Sequence, residues 1–228
     1  MSKLTSLLLF FLFVQHTNGQ IPVNKALKHE LDSIFQVDQQ YRVLLYSDEI
    51  KTNPDSIAKS YGVETSKLQI FLINKLASTD SSNLVRVEEI IKQYGYPGKS
   101  LVGAPSNQAV FFIIQHSKKI DQYLPLIKKA AEKKELEFSL YAMMLDRSLM
   151  YNGKEQVYGS QGSGFEMVNP ATGQKEFKMV IWPIKNPETV NQRRKKAGFS
   201  DTIEENSKRM GITYIPYTLA EINKMKGK

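Results

Sequence analysis

The absence of cysteine from all 228 residues constrains the fold of this chain more than any other feature. Without cysteine there is no disulfide to staple loops, no thiolate nucleophile and no cysteine-ligated zinc site. The fold must therefore depend on a hydrophobic core. This length is enough for one sizeable core and short for two large independent domains, so we expect a single domain.

The N-terminal residues have the pattern of a signal peptide. Lys3 precedes an unbroken apolar run at residues 7–14, and the small residues Thr17 and Gly19 fit a peptidase site. The run is far shorter than the roughly 20 residues of a membrane span. We therefore predict a signal peptide over residues 1–19, cleavage near Gly19, and a periplasmic or secreted protein of residues 20–228 with no membrane span.

Most of the remaining chain has helical periodicity. Apolar residues repeat at spacings of three and four over residues 23–46, which predicts a first helix. Residues 56–76 are ambiguous. Asp80 to Ser82 is expected to cap a helix over 83–94, and Asn186 to cap another that begins at Pro187. Further helices are predicted over residues 109–114, 121–134, 137–150 and 201–210, with a last one capped by Thr218 and Glu221.

Two short strands are expected in the C-terminal half. Residues 165–168 and 176–184 flank an Asn-Pro-Ala-Thr-Gly turn, which is hairpin chemistry. The predicted fold class is therefore α+β: a mainly α-helical single domain with one small β-hairpin.

Gln115 and His116 directly follow the most apolar run outside the N-terminus, residues 109–114. A histidine at the edge of a core can be positioned and tuned as a general base. The alternative is a structural histidine satisfied by one backbone bond. His29 and His116 have no metal-ligand spacing, so we predict no metal and no cofactor.

Asp146 and Arg147 lie in the middle of an apolar helix, where charges are costly unless they are partnered. Adjacent helical residues point about 100° apart and need not pair with each other. Arg147 is expected to pair with a carboxylate elsewhere, such as Asp38, or with a substrate. Arg42, four residues after Asp38, can also pair with that residue. A structural ion network is the alternative.

Two other segments carry candidate ligand-binding groups. Tyr158 and Gln161 lie on a glycine-containing turn, which lacks the glycine spacing of a nucleophile elbow. Arg193 stands next to Arg194, and one of them could bind an anion bidentately, although a solvated helix face is the plainer interpretation.

The net charge of +8 indicates an acidic partner. No nucleic-acid motif accompanies the basic residues, so we expect no nucleic-acid partner. A polar or anionic ligand is the partner expected, and the oligomeric state is left open.

Several of these residues form an ordered set of short motifs: Asp38-Gln39-x-Tyr41-Arg42, Tyr94-Gly95-Tyr96-Pro97-Gly98, Phe111-x-Ile113-Ile114-Gln115-His116, Leu145-Asp146-Arg147, Gln156-Val157-Tyr158-Gly159-Ser160-Gln161 and Val190-Asn191-x-Arg193-Arg194. The set resembles the DUF6624 family of bacterial proteins, common in Bacteroidetes, for which no function is established. The chain departs from the family pattern at Lys118, where an acidic residue is usual, and at Ser160, where threonine is usual. The first departure weakens a histidine–acid pair.

The resemblance implies that these polar residues share one pocket. His116, Asp146 and Tyr158 are the candidate catalytic residues, and Gln115, Arg147, Gln161, Arg42 and Arg193 the candidate ligand-binding residues. Three functions stay open. They are a cell-envelope hydrolase with His116 as base or acid, a non-catalytic binding module, and an internal polar network with no active site.

Overall fold

The computed structural model describes residues 23–168 and 173–226, so the predicted signal peptide lies outside the described residues. It has the predicted fold class, a mainly helical single domain with one hairpin in its C-terminal half. In chain order the elements are α1 (Lys25–Tyr46), α2 (Glu49–Thr52), α3 (Pro54–Ser60), α4 (Leu68–Tyr94), α5 (Lys99–Val102), α6 (Ala109–Gln115), α7 (Ile120–Glu132), α8 (Phe138–Tyr151), β1 (Gly162–Val168), β2 (Lys175–Ile181), α9 (Val190–Lys196), α10 (Ile203–Arg209) and α11 (Leu219–Met225). Within the described ranges, no helix combines the length and apolarity that crossing a membrane requires.

The main core lies where α1, α4, α6, α7 and α8 pack together. The apolar run that precedes His116 forms α6, a helix as predicted, and all of it except Phe112 is buried. The inward face of α1 buries Leu27, Leu31 and Ile34 and then Asp38, so a carboxylate continues an apolar stripe. This packing brings the end of α6 against Asp38.

Helix α4 is much longer than predicted. The expected cap at residues 80–82 lies inside a 27-residue helix. The Ser81 hydroxyl donates to the Ala77 carbonyl oxygen in the preceding turn, and the buried Asn83 amide donates to Ile34 O of α1 at 3.4 Å. Polar residues that are typical of a helix start are therefore tolerated here because α4 packs along α1. Asp80 is left free to bind elsewhere.

Strand β1 begins at Gly162, earlier than the predicted residue 165. Strand β2 ends at Ile181, earlier than the predicted residue 184. They pair antiparallel from Gly162 opposite Ile181 to Val168 opposite Lys175. The inner face packs Val180 against Ile222 of α11, and Ile181 packs with the cluster that α10 supplies. The C-terminal helices thus pack against the base of the hairpin, while turn residues 169–172 lie outside the described part.

The predicted cap at Asn186 is wrong. Asn186 has a left-handed backbone with φ +48°, makes no side-chain cap bond, and precedes a three-residue 3₁₀ turn that delays α9 to Val190. The predicted capping box of Thr218 and Glu221 is present at α11. A second box, Thr202 with Glu205, starts α10.

Candidate functional site

His116 faces a buried carboxylate that its own helix does not provide. It is the first residue after α6, and its Nδ1 lies 3.5 Å from Oδ1 of Asp38, which is fully buried on α1. Nδ1 is itself buried and has no hydrogen bond of good geometry. Because 19% of the side chain is nevertheless exposed, the exposed part of the ring belongs to its other atoms. One edge of the imidazole therefore faces a carboxylate and another faces solvent.

Asp38 is contacted by two polar side chains of its own helix, α1. The Gln39 amide donates to its Oδ2 at 2.7 Å, and Nη2 of Arg42 lies 3.5 Å from its Oδ1. The structure thus contains the Asp38–Arg42 pair that the sequence indicates. Arg42 also forms an ion pair with Asp80 of α4. The guanidinium of Arg42 bridges two carboxylates, which fixes α1 against α4 next to the histidine.

His116 lines an open groove of about 290 Å³. Its other lining residues are Asp80, Ser81, Leu84, Ile113, Ser117, Lys118 and Lys119. The Ser117 hydroxyl donates to Ile114 O at 2.8 Å and the Ser81 hydroxyl to Ala77 O at 3.0 Å. Neither serine is bonded to the histidine, so the groove offers a proton acceptor without an activated hydroxyl nucleophile.

Arg147 contacts the main chain at the residue before His116. Its Nη1 donates to the carbonyl oxygen of Gln115 at 3.0 Å, and its Nε donates to Oε1 of Gln161 at 3.1 Å. The prediction of an ion pair between Arg147 and Asp38 is wrong, because Asp38 lies beside His116 and Arg42 instead. Burial lowers the pKa of Arg147; Tyr151 opposes this shift, and the positive charge of Arg42 adds to it.

Asp146 holds a loop rather than facing the groove. Its buried carboxylate accepts the backbone N–H groups of Val157 at 2.7 Å, Tyr158 at 3.1 Å and Ser160 at 2.9 Å, and also the Ser160 hydroxyl at 2.9 Å. Burial raises the pKa of Asp146, and the hydrogen bonds from the loop lower it only partly. This carboxylate therefore supports the segment that carries Tyr158 and Gln161.

Tyr158 and Arg193 contact other parts of the fold. The Tyr158 ring lies 6.0 Å from the Phe199 ring, and no contact joins it to His116 within the described residues. Arg193 donates to Val157 O, Lys185 O, Asn186 O and the Thr189 hydroxyl. These acceptors engage Arg193 in loop packing.

The inward arginine of that pair is Arg194. It is 1% exposed and forms an ion pair with Asp201 of the same chain. The sequence predicts that one arginine of the Arg193–Arg194 pair binds an anion. In the structure the anion bound by Arg194 is the Asp201 carboxylate of the protein itself.

The structure brings His116, Gln115, Arg147, Gln161 and Arg42 into one connected cluster. Asp146 is linked to this cluster through Ser160, whose hydroxyl donates to Asp146 and accepts from the Gln161 amide, and Tyr158 reaches it only through its backbone N–H on Asp146. In the described part of the chain, no group of three His, Asp or Glu side chains is arranged to hold a metal ion.

Two acidic contacts in the cluster do not follow from the sequence. The sequence predicts Asp38 as a partner of arginines and not of His116, and Asp80 as a helix cap and not as a partner of Arg42. The available signal for Asp38 was its place in the inward stripe of α1, since a buried carboxylate requires a partner from a neighbouring helix. Asp80 gave no such signal.

Comparisons with curated proteins and with solved structures gave no match. The model of a family described as "Family of unknown function (DUF6624)" matches residues 59–214. That range includes Asp80, His116, Arg147 and Gln161, while Asp38 and Arg42 precede it. The match covers more than half of the chain, which therefore belongs to the DUF6624 family.

Proposed function

We propose that this protein is an exported hydrolase of the cell envelope in which His116, oriented by Asp38, activates water in the groove. The observation that carries the proposal is the two-sided position of His116. Its Nδ1 faces a buried carboxylate at 3.5 Å, and the exposed part of its ring lines an open groove. A histidine held in this way keeps its proton on Nδ1 and offers Nε2 as the base.

The chemistry needs no covalent intermediate. Water attacks the electrophilic carbon or phosphorus of the substrate, and His116 Nε2 takes the proton as the new bond to oxygen forms. The histidine then gives that proton to the leaving group as the scissile bond breaks. Asp38 stabilises the imidazolium formed in between, and the distance from Asp38 to Nδ1 is compatible with catalytic bonds that shorten when substrate binds.

Export is part of the proposal because the apolar run at residues 7–14 has the pattern of a signal peptide. A non-catalytic binding module is the second candidate. It is favoured by one observation, that Ser81 and Ser117 in the groove both bond to helix carbonyls and not to His116.

Hydrolysis of p-nitrophenyl acetate, p-nitrophenyl phosphate and p-nitrophenyl N-acetyl-β-glucosaminide tests the proposal. We expect one of them to be turned over and H116A to lower kcat/KM by about 10²- to 10⁴-fold at an unchanged Tm. D38N should lower activity and displace the pH profile, because Asp38 acts through the histidine. H29A is the matched control, since His29 is an exposed histidine on α1.

Absence of turnover of all three substrates, or equal activity in H116A, would overturn the hydrolase. Loss of about 1–3 kcal/mol of stability in H116A without any turnover would instead place His116 in an internal polar network.

A further inference from the structure

Arg147 differs from every other arginine of the chain in the partners that its guanidinium contacts. Arg42, Arg86, Arg194 and Arg209 each form an ion pair with a carboxylate. Arg193 forms none but has four neutral acceptors. Arg147 has two neutral acceptors and no ion pair within residues 23–168 and 173–226.

Burying a guanidinium without an ion pair costs free energy unless another group binds to it. Arg147 is half-buried, and a desolvated guanidinium without a counter-charge is unfavourable. Arg42 makes the environment more positive, because its charge helps to lower the pKa of Arg147. An anion at this place would offset both effects.

Arg147 keeps donors that such an anion could accept from. Nε is engaged by Gln161 and one N–H of Nη1 by the Gln115 carbonyl, while Nη2 donates to no described residue. Three of the five guanidinium N–H groups, two of them on Nη2, are therefore left to donate to a carboxylate or phosphate. Gln161 is itself fixed, since its amide donates to Met143 O at 3.3 Å and its backbone N–H to Gln156 Oε1 at 2.9 Å.

Two other residues of the same cluster also have donors without a described partner. Nη1 of Arg42 makes no hydrogen bond to a described residue. The side-chain amide of Gln115 likewise has no partner within the described ranges, although Gln115 is buried. Gln115 also joins Arg147 to the reactive histidine, because its carbonyl belongs to the peptide that continues into His116.

We propose that Arg147, assisted by Arg42 and the Gln115 amide, forms an anion subsite beside His116 that takes a carboxylate or phosphate group of the substrate. The inference rests on the proposed function and names its substrate class: an anionic compound whose charged group lies at Arg147 and whose scissile bond lies at His116. The test below is a binding measurement, so the two proposals can fail separately.

Calorimetric titration of the full chain with sodium phosphate and with sodium acetate, at constant ionic strength, tests the subsite. We expect at least one anion to bind the wild-type protein and R147Q to weaken binding by about tenfold or more. R147K, which keeps the charge and loses the fork, should fall between them. R86Q is the control, since Arg86 is exposed and paired with Glu30 and Glu89 on the α1–α4 surface. Tighter phosphate binding identifies a phosphate substrate, and tighter acetate binding a carboxylate one.

Two results would overturn the subsite: no binding of either anion to the wild type, or equal binding by R147Q. If R147Q does not fold, R147K and the anion-dependent rise in wild-type Tm decide the matter. H116A separates the proposals. Anion binding by H116A without turnover by the wild type leaves the subsite and removes the hydrolase, whereas turnover without anion binding does the reverse.

Discussion

At the scale of single residues, two buried carboxylates serve different purposes because their neighbours differ. Asp146 is surrounded by backbone donors of one loop, all of which belong to the fold. Asp38 has side-chain neighbours only, one of them the partly exposed His116. The first arrangement uses the charge entirely for structure. The second leaves the charge facing a histidine that is in contact with solvent.

Replacement of Asp146 tests the structural assignment. D146A leaves the N–H groups of Val157, Tyr158 and Ser160 without their acceptor, so we expect a loss of roughly 2–5 kcal/mol in the free energy of unfolding, measured in urea. D48A is the control, because Asp48 is exposed and paired only with Lys51, and its effect should stay within about 0.5 kcal/mol. A D146A protein nearly as stable as the wild type would show that the loop does not depend on this carboxylate.

At the scale of helices and strands, the sequence predicted what depends on local pattern. The stripe of α1, the buried run of α6 and the capping box of α11 each have a signal within a few residues, and each is present. The limits of α4 and α9 could not be predicted, because packing along α1 overrides cap residues at 80–82 and a left-handed Asn186 delays α9.

The candidate site shows the same division. The positions of His116 and Arg147 within apolar segments marked them as unusual in the sequence. Their partners could not be predicted from the sequence. Asp38, for example, precedes His116 by 78 residues in the chain and contacts it only because α1 packs on α6. Side chains that meet through helix packing leave no spacing to detect.

A polar contact joins helices α4 and α7, and it includes a tyrosine whose titration can be measured. The Tyr123 hydroxyl donates to Glu88 at 2.7 Å, and Lys119 donates to both oxygens of that carboxylate. Burial, and then the hydrogen bond to Glu88, raise the pKa of Tyr123 to about 12. A raised pKa in the folded state means that this contribution to stability is complete below about pH 10 and is lost as the pH rises through about 12.

We therefore expect the absorbance difference between wild type and Y123F at 295 nm to titrate near pH 12. E88A should move this step to lower pH, because it removes the second cause of the shift. Circular dichroism over the same range shows whether the fold persists. A tyrosine step that stays in place in E88A would contradict the contact.

At the scale of the whole molecule, the helical part and the hairpin part are connected through α8. Asp146 bonds the loop that leads into β1, and Arg147, one residue later, bonds Gln161 at the start of that strand. The same two residues therefore fix the hairpin to the core and hold the guanidinium on the Gln115 carbonyl, one residue before His116. We expect the two parts to unfold together and the anion subsite to be lost with that junction.

Acid should destabilise the whole protein through several paired carboxylates. The pKa of Glu88 is lowered by Lys119 and Tyr123, and the pKa of Asp121 on α7 is lowered by Ser148 and Asn152. A folded-state pKa below the unfolded value gives stability that is present above about pH 4 and is lost as the pH falls through the folded value. Protonation also increases a net charge that is already +8, and the repulsion grows.

The Tm should accordingly fall as the pH is lowered from about 5 to below about 3, as measured by calorimetry. D121N removes one of the titrating groups, so its Tm should depend less steeply on pH than that of the wild type. S148A should have a similar effect, because the Ser148 hydroxyl is the largest cause of the lowered pKa of Asp121. Both substitutions act on the contact between α7 and α8, the helix that carries Asp146 and Arg147. If D121N and S148A retain the wild-type slope, acid sensitivity must arise elsewhere and the α7–α8 contact does not contribute to it.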